Sequence, residues 1–148
     1  MSTQIGGKGE TPVTLTFAAL ASLASNALGV SNAIDFTSLT PDAIDVQVEI
    51  VIDPGTTSGN KKAGAYLITS VDGTNFSDPL NRGNMLWLGD ISLPDTNIVR
   101  SQALSCLKAM NGAPLPAAGK IVVWNDSGVA FNSTGNSAQY REVRGDTS

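Results

Sequence analysis

The stretch DVQVEIVI, residues 45–52, decides the fold class. Apolar side chains occupy alternate positions from Val46 to Ile52, and polar Gln47 and Glu49 fill two of the positions between them. Successive side chains of a β-strand point to opposite faces of a sheet, so this alternation predicts a strand with one face in the core. The positions expected on the core face are Val46, Val48, Ile50 and Ile52, and those on the other face are Gln47, Glu49 and Val51.

Comparable short runs recur along the chain with turn signals between them, such as Asp72-Gly73. Further strands are predicted at residues 13–17, 33–36, 64–70, 85–93, 98–109, 119–124, 129–131 and 138–143. The second half of 98–109 could instead form a helical turn, and residues 18–28 could be either helix or extended chain. A turn after about every ten residues is typical of an antiparallel β-sandwich, with the jelly roll as the leading form.

The domain organisation follows from the length of 148 residues, which favours one domain. The polar, Gly-rich residues 1–12 are predicted to form a flexible N-terminal arm. Residues 13–144 form the single sandwich domain, and residues 145–148 a polar tail. The segment from Asp53 to Lys62 contains Pro54 and Gly55 and is predicted to be a loop.

The composition excludes most enzyme classes. The chain has no histidine and one cysteine, Cys106, so a zinc site or a His-based nucleophile cannot be built. It also lacks a Gly-x-x-x-x-Gly-Lys phosphate loop. We therefore predict a protein that is not an enzyme and has no cofactor, with Cys106 as a buried, inert thiol.

Charge and hydropathy limit the partners. The net charge of −4 and the lack of a basic cluster disfavour nucleic acid, because affinity for nucleic acid comes chiefly from neutralising phosphates. The sequence contains no apolar run of the length that a membrane-spanning helix needs. We expect no nucleic-acid partner and no membrane.

Acidic and aromatic residues offer alternatives. Asp42 with Asp45, or Asp90 with Asp95, could serve as a hydrolytic carboxylate pair, and the loops 72–75 and 126–128 could bind calcium, although turn formation is the favoured role for each. Four aromatic residues could line a sugar-stacking platform as in a carbohydrate-binding module, although the apolar neighbours of the tryptophans favour core positions. They are Tyr66, Phe76, Trp87 and Trp124.

Three segments carry a resemblance to a known group of proteins. They are LASLASNALGVSNAIDF (residues 20–36), AYLITSVDGTNFSDP (65–79) and KIVVWNDSGVAFNSTGNSAQYREV (120–143). Together they resemble small structural proteins of tailed bacteriophages, in which a Leu-Ala-Ser-Leu-Ala-Ser leader precedes a strand. In that group a Ser-x-Asp-Gly-Thr-Asn-aromatic turn sits mid-chain, and an Asn-x-(Ser/Thr)-Gly…Tyr-Arg strand pair closes the domain. The similarity covers about half the chain and implies a virion component of jelly-roll type.

The resemblance implies a capsid decoration, or cement, protein, made in the host cytoplasm and located on the capsid surface. Its partners would be the major capsid protein and itself, as a homotrimer. A tail, neck, baseplate or fibre component is the alternative within the virion. We expect the contacts in the N-terminal segment and the loop after residue 52, at Ile5, Val13, Leu15, Phe17, Asp53, Pro54, Lys61 and Lys62.

Overall fold

The computed structural model describes residues 7–9, 11–55, 61–93 and 98–145. The strands in these ranges are β1 (Gly7–Gly9), β2 (Val13–Leu15), β3 (Leu28–Val30), β4 (Ile34–Asp35), β5 (Ala43–Ile52), β6 (Lys61–Ser70), β7 (Leu86–Leu93), β8 (Val99–Ser105), β9 (Ala118–Asp126) and β10 (Ser137–Gly145). Short 3-10 turns lie at Phe36–Ser38 and Arg82–Asn84, and one helical turn, α1, covers Cys106–Ala109.

The strands form two antiparallel sheets. In sheet 1, β1 and β2 pair along one side of β10, which pairs with β5, and β5 pairs with β8. In sheet 2, β3 and β4 pair along one side of β9, followed by β6 and then β7. The prediction of an all-β antiparallel sandwich is confirmed.

The main core lies between the two sheets. The predicted inner face of β5 is confirmed, because all four side chains from Val46 to Ile52 on that face are fully buried. Ala63, Ala65 and Leu67 of β6 belong to the same apolar cluster, with Ile121 and Val123 of β9. Burial of this apolar surface is the main force that holds the two sheets together.

Residues 18–28 are neither helix nor strand, apart from Leu28 at the start of β3. Ser22 and Asn26 adopt positive φ angles of 57° and 62°, which end any regular run. The segment nevertheless contributes to the core, since Leu20 and Leu23 are buried. Loop contacts replace sheet pairing here: the Phe131 amide donates to the Leu23 carbonyl at 3.0 Å. The strand predicted at 129–131 is therefore wrong, and that segment packs as irregular chain against residues 18–28.

Several predicted boundaries shift. Lys61 and Lys62 belong to β6 and not to the preceding loop, because they pair with Leu93 and Ser92 of β7. Residues 7–9 of the predicted arm form β1, paired with Val143–Gly145 at the end of β10. The helical alternative for the end of the 98–109 run is correct, since β8 ends at Ser105 and α1 follows.

Candidate functional site

The outer face of sheet 1 is polar, and its charged side chains pair with one another. The Arg100 guanidinium lies 2.6 Å from Glu49 Oε1, and the Gln139 amide donates to the same oxygen at 3.1 Å. Arg141 donates to Gln47 Oε1 at 3.3 Å. A shallow groove of about 270 Å³ crosses this face beside Pro12. Partnered charges of this kind make an ordinary water-facing surface.

The outer face of sheet 2 is apolar over much of its area. A second cluster, separate from the main core, buries Ile68, Met85 and Val122 there. Partly buried Leu28, Val30, Tyr66, Phe76 and Trp124 pack around it. The loop between β6 and β7 supplies Phe76, and Lys120 Nζ lies 4.4 Å from the centre of that ring. Sheet 2 therefore carries apolar clusters on both faces: the main core on its inner face and this outer apolar cluster on the other.

Tyr66 lies against Gly64 on this outer face. A Cβ atom at Gly64 would stand 2.8 Å from Tyr66 Cε2 and 3.1 Å from its hydroxyl oxygen, so the ring covers the glycine. Gly64 pairs with Asp90 on β7 and with Trp124 on β9. The absence of a side chain at Gly64 therefore lets an aromatic ring extend along the sheet between these neighbours.

Trp87 is the exposed aromatic residue of the same face, with 59% of its surface accessible. Its indole Nε1 donates to Asp90 Oδ1 at 3.3 Å, and Lys62 Nζ contacts Asp90 Oδ2 at 3.2 Å. Tyr66 is the residue directly opposite Trp87 in the strand pairing. We call the set Lys62, Tyr66, Trp87 and Asp90 the Trp87 platform.

The expectation that the two tryptophans occupy the core is wrong for Trp87. A β-bulge places the extra residue Leu88 in β7, since Tyr66 pairs with Trp87 while Ala65 pairs with Gly89. Leu88 and Ile91 point inward, and Trp87 and Asp90 point outward. Trp124 is half-buried in the outer apolar cluster and not in the main core.

The predicted contact residues divide by burial. Leu15 and Pro54 are buried in the sandwich. Phe17 and Asp53 are half-buried, and Ile5 lies outside the described residues. The exposed members are Val13, Lys61 and Lys62. They do not form one surface, because Val13 lies at the β2 side of sheet 1 and the lysines lie on a middle strand of sheet 2.

Val13 lines an opening of about 260 Å³ at the β2 side of the sandwich, together with Leu39, Tyr140 and Glu142. Burial raises the pKa of Tyr140, and the nearby carboxylates of Asp35 and Glu142 raise it further. Burial alone would also raise the pKa of Glu142. Hydrogen bonds from Thr40 outweigh that effect, with a further contribution from Arg144, and lower the pKa below its ordinary value.

Asp53 connects the end of β5 to the segment before β10 through hydrogen bonds. Its Oδ1 accepts from the Asn132 side chain at 2.7 Å, and its backbone amide donates to Asn136 Oδ1 at 2.8 Å. Gly135, with a φ of 87°, lets the chain pass close to the Asp53 carboxylate. Asp53 therefore has a structural role, which its position before Pro54 did not reveal.

Asn125, near the end of β9, is a fully buried polar residue that joins two loops. Its side-chain amide donates to the carbonyls of Leu23 and Val129, both at 2.8 Å. Its Oδ1 accepts from the amide and hydroxyl of Ser127 at 3.0 and 2.6 Å. The side chain thus satisfies both of its donors and its acceptor, as a buried amide requires.

Of the carboxylates considered for chemistry, Asp45 lies in β5 and Asp90 in β7 and not in turns, and Asp95 lies outside the described residues. Asp45 accepts the Ser105 hydroxyl at 2.6 Å and the Leu107 amide at 2.8 Å, which anchors α1 to β5. Asp72 accepts from the amides of Thr74 and Asn75, and these bonds hold its pKa well below the ordinary value. The turn role predicted for Asp72 is confirmed. Among the described residues, no three His, Cys, Asp or Glu side chains stand close enough to bind a metal.

One chemical pattern escaped the sequence analysis. Ser105 and Lys108 have Ser-x-x-Lys spacing, and a second such pattern begins at Ser58, outside the described residues. Ser105 caps α1, since its hydroxyl accepts from the Lys108 amide at 3.0 Å while donating to Asp45. Cys106 beside it is buried, as predicted, and burial together with the Asp45 charge raises the pKa of its thiol to about 12.

Two comparisons, with protein-family models and with curated sequences, find no relative for this chain. No protein-family model matches it, and a search of curated proteins finds no similar sequence. In the ranges that the structure covers, no helix has the length and apolar character that crossing a membrane demands.

Proposed function

We propose that this protein is a non-enzymatic structural component of a tailed-bacteriophage virion, a decoration protein of the capsid surface made in the host cytoplasm. Its partners are the major capsid protein and two further copies of itself in a homotrimer. The observation that carries the proposal is that the three segments with phage resemblance meet in one part of the fold.

These segments are far apart in sequence and adjacent in the sandwich. Residues 20–36 supply β3 and β4, residues 65–79 supply half of β6, and residues 120–143 supply β9 and much of β10. Strand β9 pairs with the other two segments on its two sides. Asn125 of the third segment also bonds Leu23 of the first. The resemblance therefore covers three neighbouring strand regions of sheet 2, together with part of β10 in sheet 1.

The strand order supports the jelly-roll form of the proposal. If β1 is counted with β2 and β3 with β4, the ten strands occupy eight positions. The first position pairs with the eighth, the second with the seventh, the third with the sixth and the fourth with the fifth. This nested antiparallel order is the one expected for two Greek keys wrapped into a jelly roll.

We place the capsid contact at the β2 side of sheet 1. Val13 is 49% exposed and lines the opening at the β2 side of the sandwich, beside Leu39 and Tyr140. Among the described strands, β2 pairs only with β10, so its other side can meet a partner. The N-terminal segment that precedes it would extend this contact. Many copies on a shell would then act together and give avidity.

The test uses filled heads from a phage that lacks this protein. Purified protein should bind these heads and raise the temperature at which they release DNA. Deletion of residues 1–12 and the variant Val13→Glu should each weaken binding about tenfold or more, which corresponds to about 1.4 kcal/mol. Ile44→Glu is the matched control, because Ile44 is 47% exposed, does not line the opening and should retain binding.

Two results would count against the proposal. Failure of the unmodified protein to bind heads would remove the capsid role. Binding that neither the deletion nor Val13→Glu changes would remove the β2 contact. A tail, neck, baseplate or fibre position is the remaining virion alternative, and it requires only a handful of copies per particle.

A further inference from the structure

We infer that the Trp87 platform is a binding site for a neutral carbohydrate, with one pyranose ring stacked on the Trp87 indole. The site lies on the outer face of sheet 2, on the opposite sheet from the proposed capsid contact at β2. The inference does not depend on that contact or on the virion role.

The Trp87 ring is exposed and held in one orientation. A large apolar ring that is 59% exposed leaves its surface in water, which is unfavourable unless a ligand covers it. The Nε1 bond to Asp90 at 3.3 Å orients the indole. Because the ring is already oriented, ligand binding loses little conformational entropy of the Trp87 side chain. The electron-rich ring face attracts the weakly positive C–H groups of a sugar ring.

A polar rim lies beside the Trp87 ring. Asp90 and Lys62 form an exposed ion pair at 3.2 Å, and exposed Ser92 lies opposite Lys62 in the strand pairing. These groups supply a carboxylate acceptor, an ammonium donor and a hydroxyl that can do both. Sugar hydroxyl groups also donate and accept, so they can form hydrogen bonds with all three groups.

The Tyr66 ring forms an aromatic floor beside Trp87. The Tyr66 ring covers Gly64, and Tyr66 is the direct partner of Trp87 across the strands. Opposite residues on one face of a sheet have Cβ atoms about 4.5–5.5 Å apart, so the two aromatic residues form one continuous surface. A second sugar unit of an oligosaccharide would lie over this floor.

The charges favour a neutral sugar over an anion or a protein. Lys62 is paired with Asp90, and Asp126 lies opposite Lys62 on β9, so this rim carries no excess positive charge to attract phosphate or sulfate. A protein interface that covered this ion pair would remove water from both charges, which costs free energy unless new partners replace it. Hydroxyl groups of a sugar provide such partners without carrying a charge.

The experiment begins with a broad printed glycan array, followed by fluorescence titration of the full chain with the best neutral oligosaccharide. Binding should shift the tryptophan emission to shorter wavelength. Trp87→Ala should weaken binding at least about tenfold and abolish the shift, and Asp90→Asn should weaken it less. Ile98→Ala is the matched control, because Ile98 has the same exposed fraction of 59% and lies next to sheet 1.

Both Trp87→Ala and Ile98→Ala should unfold at the temperature of the unmodified protein, since neither side chain is buried. No saturable binding to any neutral glycan on the array would overturn the inference. Binding restricted to anionic glycans, or unchanged in Trp87→Ala, would also overturn it. Loss of head binding in Trp87→Ala, without glycan binding, would identify the platform as a protein contact instead.

Discussion

Replacement of Asn125 by alanine should cause a large loss of stability. The side chain is fully buried and makes four hydrogen bonds, two to carbonyls and two from Ser127. A net contribution of about 1 kcal/mol per bond gives a loss of about 4 kcal/mol in the free energy of unfolding. The carbonyl of Leu23 retains the Phe131 amide, so the cost should not be much larger.

The assay is urea unfolding followed by tryptophan fluorescence, combined with a thermal melt. For a domain of this size, about 4 kcal/mol corresponds to a drop in Tm of roughly 8–16 °C. Asn132→Ala is the control, because this exposed asparagine makes one side-chain bond, to Asp53, and should lose less than about 1 kcal/mol. Equal losses in the two variants would refute the view that Asn125 joins the loops of the sandwich.

Three further predictions concern single positions. Asp72→Ala should melt at a lower temperature than the unmodified protein at pH 7. Because the pKa of Asp72 is lower in the folded protein, its contribution to stability is present above the unfolded pKa of 3.8 and is lost as the pH falls through the folded pKa. The difference in melting temperature between the variant and the unmodified protein should therefore narrow at about pH 2. A difference that stays constant with pH would contradict this. Cys106 should react with a thiol reagent only as fast as the protein unfolds, because its thiol is buried and has a pKa of about 12. Rapid labelling of the native protein would contradict this and would show that the chain around Cys106 opens locally. Gly119→Ala should lower the free energy of unfolding by about 1–3 kcal/mol, because a Cβ there would stand 2.8 Å from the Leu67 side chain and from the Phe36 ring. An unchanged urea midpoint would contradict this and would mean that these side chains move aside freely.

The parts of the fold that sequence predicts well are those in which local pattern and tertiary packing agree. Strand β5 alternates from Val46 to Ile50, and its inner face is the one expected. The Asp72 turn follows from side-chain hydrogen bonds within a few residues, so no distant contact is needed to specify it. In these places the alternation of the side chains and the turn-forming residues are sufficient to predict the local structure.

The errors fall where distant residues decide the local conformation. Residues 18–28 have helical propensity at Ala and Leu, yet Ser22 and Asn26 adopt positive φ and the segment bonds to loops more than a hundred residues away. The role of Asn125 depends on those same loops. No single-sequence pattern identifies such contacts, because they exist only once both sheets have formed.

The Trp87 platform could not be predicted from the sequence for a different reason. The run from Leu86 to Leu88 is continuously apolar and resembles a core segment. Strict alternation around Trp87 would have placed its two leucine neighbours inside and the indole outside, which is the observed arrangement. The bulge at Leu88 then shifts the phase so that Asp90 joins Trp87 on the outer face. A bulge in register depends on the neighbouring strand, and the sequence of β7 alone does not specify it.

The most direct test of the proposed virion role is the copy number of this chain in purified phage particles. Quantitative mass spectrometry would compare its peptides with those of the major capsid protein. A decoration protein requires about one chain for every one to three capsid subunits, since it follows the symmetry of the shell. Absence from the particles, or only a handful of copies in each, would contradict the capsid role.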